Sequence, residues 1–182
     1  MGQSGSHWVF GYGSLMWNPG FAHLRAETAK IEGFHRRLCV CSFHYRGQPA
    51  KPGLVFGLDK GGVCEGLAFE VAESHWPETL EYLRQREQIT MVYNEIEMPV
   101  RLVGNDEHVK AITYVVDRTH PQCACGLADA DIVKLVQQGE GLSGPCTDYV
   151  RNTHAHLEKL GLRDQRLDRI MDLLANHRLD PP

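Results

Sequence analysis

Two places in the chain carry residue types that can do chemistry together: Gly11-Tyr12-Gly13-Ser14-Leu15-Met16 near the start, and Glu87. Glycines on both sides of Tyr12 let the backbone turn sharply with no Cβ in the way. Such a turn aims main-chain N–H groups into open space, where they grip a carboxylate or a developing oxyanion, with the Ser14 hydroxyl as a further donor. Read alone, the pattern is also that of a plain tight turn after a strand. It is no nucleotide fingerprint, since the glycine spacing fits neither the P-loop nor the dinucleotide motif and no Lys-Ser/Thr pair follows. Glu87 stands out by periodicity. Trp76, Leu80 and Leu83 step by four and three along one helical face, and four more residues reach Glu87. A carboxyl in line with an apolar stripe is desolvated, and near a helix C-terminus the macrodipole also disfavours its charge, so its pKa moves toward that of a general base. The alternative is a frayed helix end, or a side chain that swings out to pair with a neighbouring Arg.

Other constellations carry less. Ten histidines are present, but no His-x-x-x-His pair with a nearby carboxylate, and His154 and His156, two apart on a helix, diverge. Six cysteines in 182 residues are not a disulfide framework. Cys39/Cys41 and Cys123/Cys125 are one residue too close for the usual zinc spacing, so reduced thiols and no metal are the expectation. Ser14 is out of place for a Gly-x-Ser-x-Gly elbow. The formal charge of −4 and the scattered basic residues offer no polycationic face, which argues against nucleic acid and for a small ligand. No secretory apolar region opens the chain and no apolar run has the length of a membrane span, so a soluble cytoplasmic protein is expected, with residues 1–6 read as a tag remnant.

The elements that must position the loop and the carboxyl can be read in order. Trp8, Val9 and Phe10 form a short buried strand ahead of the loop. Residues 21–30 are of mixed polarity, and 31–45 are extended, with Gly33 as an interruption and Arg36 and Arg37 on opposite faces, so that one can look inward, where it must meet an anion, or both are solvated residues guarding a sheet edge. Residues 46–53 form a Pro/Gly-rich surface loop. Residues 54–58 and 63–71, around Asp59-Lys60-Gly61-Gly62, predict a β-hairpin. A helix over 74–88 follows, with Ser74 as N-cap and Pro77 in its first turn. Strands come at 95–102, with Pro99 at an edge or bulge, and at 109–116. The remainder is helical: 127–138, then a flexible joint at 139–145, a helix capped by Thr147 and running to about Leu160, and a last helix over 164–177 that packs on the body. Length favours a single domain over 1–182, its core at about 7–160.

Taken in order, residues 9–15 with Trp17-Asn18-Pro19-Gly20-Phe21, Arg36-Arg37, Arg46-Gly47, residues 51–55, Arg86-Glu87 with Tyr93 beyond, and residues 144–149 resemble the ChaC-type γ-glutamylcyclotransferases. The resemblance implies an α+β fold, a small mixed β-barrel with surrounding helices and a helical C-terminus. It also implies a cofactor-free, cytosolic lyase that degrades glutathione to 5-oxoproline and cysteinylglycine. The γ-glutamyl group would sit on residues 11–16, with Glu87 as the acid/base. Arg36 or Arg37 and Arg46 are then candidates for the glycine carboxylate or for structural pairing, and Tyr149 for a hydrogen bond to substrate. The resemblance implies Gly at Met91, Asn at Cys146, Glu at Asp148 and Leu at Val150, and Met91, between Glu87 and Tyr93, can reshape the pocket. Two other readings stay open: a cyclotransferase for other γ-glutamyl amines or amino acids, and a non-catalytic γ-glutamyl-binding module.

Overall fold

The computed structural model describes residues 5–176; residues 1–4 of the expected tag remnant, and His177 at the end of the expected last helix, lie outside the described residues. The chain forms two compact units. One ends at Arg36 and resumes from Leu58 to Asp117, and the other takes Arg37–Gly57 and the chain from Arg118 onward.

The first unit carries the pairings of a closed, mixed barrel in the order β1-β3-β2-β4-β5. Strand β1 (Ser6–Gly11) lies antiparallel to β3 (Gly53–Ala72), from Ser6↔Ala72 to Gly11↔Leu67. On its other side it runs parallel to β5 (His108–Val116) at Trp8↔Ala111 and Val9↔Ile112. Strand β4 (Tyr93–Leu102) pairs with β5 from Tyr93↔Val116 to Arg101↔His108, and β2 (Arg25–Ser42) meets β4 at Ala29↔Leu102. Closure leaves no open edge. Val9, Phe10, Ile31, Leu58, Phe69, Val71, Val100, Leu102 and Tyr114 of its strands are buried, Val9 and Phe10 on opposite faces of β1. This is the α+β barrel that the resemblance implied.

Residues 54–71 do not form a hairpin. They are one continuous strand, β3, in which Gly61 (φ 91°) and Gly62 (φ 78°) absorb a left-handed kink without reversing the chain. His35 Nδ1 of β2 hydrogen-bonds the Gly61 carbonyl at 2.8 Å, so the kinked segment stays against its neighbour. Strand β2 likewise starts at Arg25, earlier than its mixed polarity suggested, because Arg25 pairs with Glu70 of β3 and Glu27. Helix α1 (Trp76–Glu87) buries Thr79 and Leu83 and has Pro77 in its first turn. Ser74 does not cap it: a short 3-10 turn, Glu73–His75, leads in, and the Ser74 hydroxyl meets His75 Nδ1 at 3.4 Å.

In the second unit, α2 (Asp129–Gln138), α3 (Cys146–Lys159) and α4 (Gln165–Asn176) pack on one another, with Ile132, Val136, Val150, Leu157, Leu167, Ile170 and Leu174 buried. The expected flexible joint is a tight hairpin, β6 (Glu140–Gly141) with β7 (Gly144–Pro145), held by Leu142 N–H donating to His44 O and Ser143 N–H to Tyr45 O, both 2.9 Å. Thr147 lies inside α3, which follows Pro145 with no side-chain cap. Asp164 does cap α4, accepting from Leu167 N at 3.1 Å. Cys123 and Cys125 form a disulfide, against the expectation of reduced thiols throughout, while Cys39, Cys41, Cys64 and Cys146 are free. Their segment is a turn, not a strand, which brings the two Cα atoms to 5.6 Å, within disulfide reach.

Candidate active site

The loop after β1 is a single 3-10 turn, Ser14–Met16, entered through Gly13. Met16 N–H donates to Gly13 O (3.0 Å), Trp17 N–H to Ser14 O (3.2 Å) and Asn18 N–H to Ser14 O (2.8 Å). A turn of this kind leaves its first amides, those of Ser14 and Leu15, outside its own ladder, and they are the groups suited to an anion. The loop is held from beneath. Tyr12 donates its hydroxyl to Tyr114 O at 2.7 Å, and Thr113 Oγ1 donates to Phe10 O at 3.1 Å. Arg36, 5% exposed, donates to Tyr12 O and Glu65 O. Its inward turn was expected to meet an anion; these contacts are main-chain carbonyls, which places it as a buttress of the loop.

Glu87 is the last residue of α1, its side chain 18% exposed. Burial pushes its carboxyl above the ordinary range, and the neighbouring Arg86 opposes part of that rise. Arg86 joins the loop to the helix: Nη2 donates to Ser14 Oγ (2.8 Å), Nη1 to Asn18 O (2.7 Å) and to Tyr82 OH (2.9 Å), and Nε lies 3.2 Å from Glu87 Oε1. The loop rests directly on the helix at Gly20 (φ 75°), where a Cβ would stand 2.0 Å from the Tyr82 hydroxyl. Phe21 closes the contact edge-on to Phe69 and Tyr82. Tyr114 donates to Glu95 Oε2 at 3.0 Å, and burial, Glu95 and the charge of Glu87 together hold its phenol protonated far beyond neutral pH.

The first unit therefore brings together Gly11, Tyr12, Gly13, Ser14, Leu15, Met16, Arg36 and Glu87. Arg46 and Tyr149 belong to the second unit and meet there: the guanidinium sits 5.4 Å from the Tyr149 ring centroid and donates to Pro145 O at 3.2 Å. The Tyr149 hydroxyl accepts from Phe56 N at 3.0 Å. Cys146, where the resemblance implied Asn, is buried beside Leu54, donating from Sγ to its carbonyl at 2.9 Å; burial pushes this thiol up to about 11. Met91 adopts φ 60°, the left-handed region that favours the glycine implied there, and is 59% exposed. Among the described residues no group of His, Cys, Asp and Glu is arranged to hold a metal ion, and no helix is long and apolar enough to cross a membrane.

The pairing of Glu87 with a neighbouring Arg, given as the alternative from sequence, is present at Arg86; the link from Arg86 to the loop and to Tyr82 was not foreseen. The available signal was the i, i+4 spacing of Tyr82 and Arg86 on the helix that ends at Glu87.

The barrel has close counterparts. A crystal structure of the yeast γ-glutamyl cyclotransferase specific to glutathione superposes with a TM-score of 0.86 at 21% identity, covering 96% of this chain and 97% of that one. In sequence, the chain is 32% identical over 172 residues to the glutathione-specific γ-glutamylcyclotransferase of Escherichia coli (strain K12), covering 94% of this chain and 73% of that protein. It is also 32% identical over 148 residues to the glutathione-specific γ-glutamylcyclotransferase 1 of Danio rerio, covering 80% and 76%. With the family model described as ChaC-like protein matching residues 7–177, almost the whole described barrel and its helices, the chain belongs to the ChaC-like family.

Proposed function

We propose that this protein is a glutathione-specific γ-glutamylcyclotransferase, a lyase that converts glutathione to 5-oxoproline and cysteinylglycine, with Glu87 as its general base and acid. The observation that carries the reading is a half-buried carboxyl of raised pKa, linked through one arginine to a glycine-rich, amide-bearing turn. The relatives named above support it by their activity. The substrate's own α-amine is the nucleophile, so the protein has only to fold the γ-glutamyl chain and handle charge and protons. Internal attack of this kind reaches effective molarities of roughly 10⁵ M or more once the chain is held.

The Glu87 carboxylate removes a proton from the α-ammonium, and the free amine adds to the γ-carbonyl carbon. The amides of the loop and the Ser14 hydroxyl hold the substrate carboxylate or the tetrahedral oxyanion, a contribution of about 3 kcal/mol per well-placed donor. As the C–N bond to the cysteinyl nitrogen breaks, Glu87 gives that nitrogen the proton it took; the ring nitrogen, which after attack still carries one proton too many, passes it to Glu87 and so to the departing amine, which leaves as an ammonium beside the neutral lactam. In this reading Arg36 acts through the Tyr12 carbonyl, and Arg46 and Tyr149 remain substrate-binding candidates, Arg46 for the glycine carboxylate. The reaction calls for no cofactor, nucleic acid or membrane, and we place it in the cytoplasm.

Replacing Glu87 by Gln tests the assignment: 5-oxoproline formation from glutathione is lost while the circular dichroism spectrum is kept, and retained turnover refutes it. A second reading, a cyclotransferase for other γ-glutamyl amines or amino acids, is favoured by Met91, a bulky residue four positions beyond Glu87 where the resemblance implied glycine. Turnover of γ-glutamylalanine equal to or above that of glutathione at the same concentration would select it. A purely binding role is disfavoured, because an idle buried carboxyl is costly.

A further inference from the structure

We infer that Arg86 is the positioning residue of this site: its guanidinium fork clamps the loop of Ser14, Asn18 and Pro19 onto α1, turns the Ser14 hydroxyl proton toward substrate, and pairs with the Glu87 carboxyl. The inference rests on the reading of Glu87 as the base and extends it to a residue that does not itself react.

The argument starts from donor and acceptor capacity. A guanidinium has five N–H groups and no acceptor. In the 2.8 Å contact between Arg86 Nη2 and Ser14 Oγ, the serine oxygen is therefore the acceptor, and its single hydroxyl proton is left to point elsewhere. This makes Ser14 a donor to whatever the loop holds, which is the polarity an anionic ligand or an oxyanion needs. Nη1 reaches the other limb of the loop, Asn18 O at 2.7 Å and Pro19 O at 3.3 Å, while Tyr82 OH accepts from it at 2.9 Å. One rigid planar group thus fixes both ends of the loop relative to one turn of helix. A lysine ammonium, a point charge on a flexible stem, reaches one of these acceptors at a time.

The same group acts on the carboxyl. Neighbours in a helix do not face each other, yet Arg86 curls back so that Nε lies 3.2 Å from Glu87 Oε1. Burial of Glu87 favours its protonated form, which is useless as a base at the start of the cycle, and the Arg86 charge and hydrogen bond work against that. With Arg86 neutralised, the base is protonated up to a higher pH.

The test separates fork from charge. Initial rates of 5-oxoproline formation are measured from pH 5 to 9 for wild type, Arg86→Gln, Arg86→Lys and Glu87→Gln, with melting temperatures alongside. For Arg86→Gln the acid limb of kcat/KM moves up by about one pH unit, the usual effect of losing an adjacent opposite charge. Its KM for glutathione also rises about tenfold, as when a charge-assisted contact that orients a binding group is lost. For Arg86→Lys the limb returns to the wild-type position and the tenfold rise in KM stays. A wild-type limb and KM in Arg86→Gln, with Glu87→Gln inactive, overturns the inference and leaves the base assignment standing. Full rescue of KM by Arg86→Lys overturns the fork. If Arg86→Gln does not fold, Arg86→Lys decides alone, since an unchanged KM there refutes the clamp. An active Glu87→Gln removes the base assignment instead, whatever Arg86 does.

Discussion

Replacing Glu87 by Gln should make the folded protein more stable as it removes activity, and the gain should depend on pH. Burial raises the folded-state pKa of this carboxyl, so around neutral pH the folded chain retains a proton affinity that the unfolded chain, with an ordinary Glu pKa of about 4.3, does not have. Stability is therefore lost as pH rises from the unfolded pKa through the folded one, and the deficit stays constant above that. Arg86 at 3.2 Å holds back only part of the rise, so the direction is a gain. For the Gln variant at pH 8 we expect the ordinary size of a stabilising single substitution, on the order of 1 kcal/mol. Loss of the carboxylate does not strand Arg86, which keeps Ser14, Asn18, Pro19 and Tyr82 as acceptors. In a chain of this size 1 kcal/mol is about 2–4 °C in Tm. Thermal melts of both proteins at pH 4, 6 and 8 read the effect: the curves coincide near pH 4 and separate as pH rises. A variant that melts lower than wild type at pH 8, or by the same margin at every pH, would refute the desolvated carboxyl on which the acid/base role depends.

Gly20→Ala places a methyl 2.0 Å from the Tyr82 hydroxyl at a backbone angle that favours glycine, and should cost about 2 kcal/mol, read as a fall of about 4–8 °C in Tm. Because Asn18 and Pro19 precede it in the clamped loop, its KM for glutathione should rise too; an unchanged melt and KM would mean that the loop does not lie on α1. Met91→Gly relieves a left-handed φ of 60° in an exposed residue and should raise stability by about 0.5 kcal/mol in urea unfolding, whereas a loss of more than that would show that the side chain packs.

Much of the scaffold could be read locally because its cause is local. Alternating apolar residues mark β4, short runs apolar on both faces mark β1 and β5, and the stripe from Trp76 through Leu83 carries α1 to Glu87, so the carboxyl could be singled out with no knowledge of what covers it. Local patterns failed where a remote partner decides the outcome. Asp59-Lys60-Gly61-Gly62 has the composition of a hairpin turn, yet pairing with distant strands keeps β3 extended through it. Ser74 and Thr147 have the side chains of helix caps, but the preceding turns place His75 and Pro145 at those positions.

By itself, the sequence determined where the chain turns after β1 and which carboxyl lies in line with an apolar stripe, since glycine freedom and helical periodicity operate over a few residues. Only the tertiary structure decided what holds them in register. The Arg86 acceptors stand 68 and 72 residues away in Asn18 and Ser14, and the buttress under Phe10 and Tyr12 comes from Thr113, and from Arg36 and Tyr114. Hydrogen bonds and desolvation act through space at about 3 Å, whatever the distance along the chain, and no spacing of residue types records them.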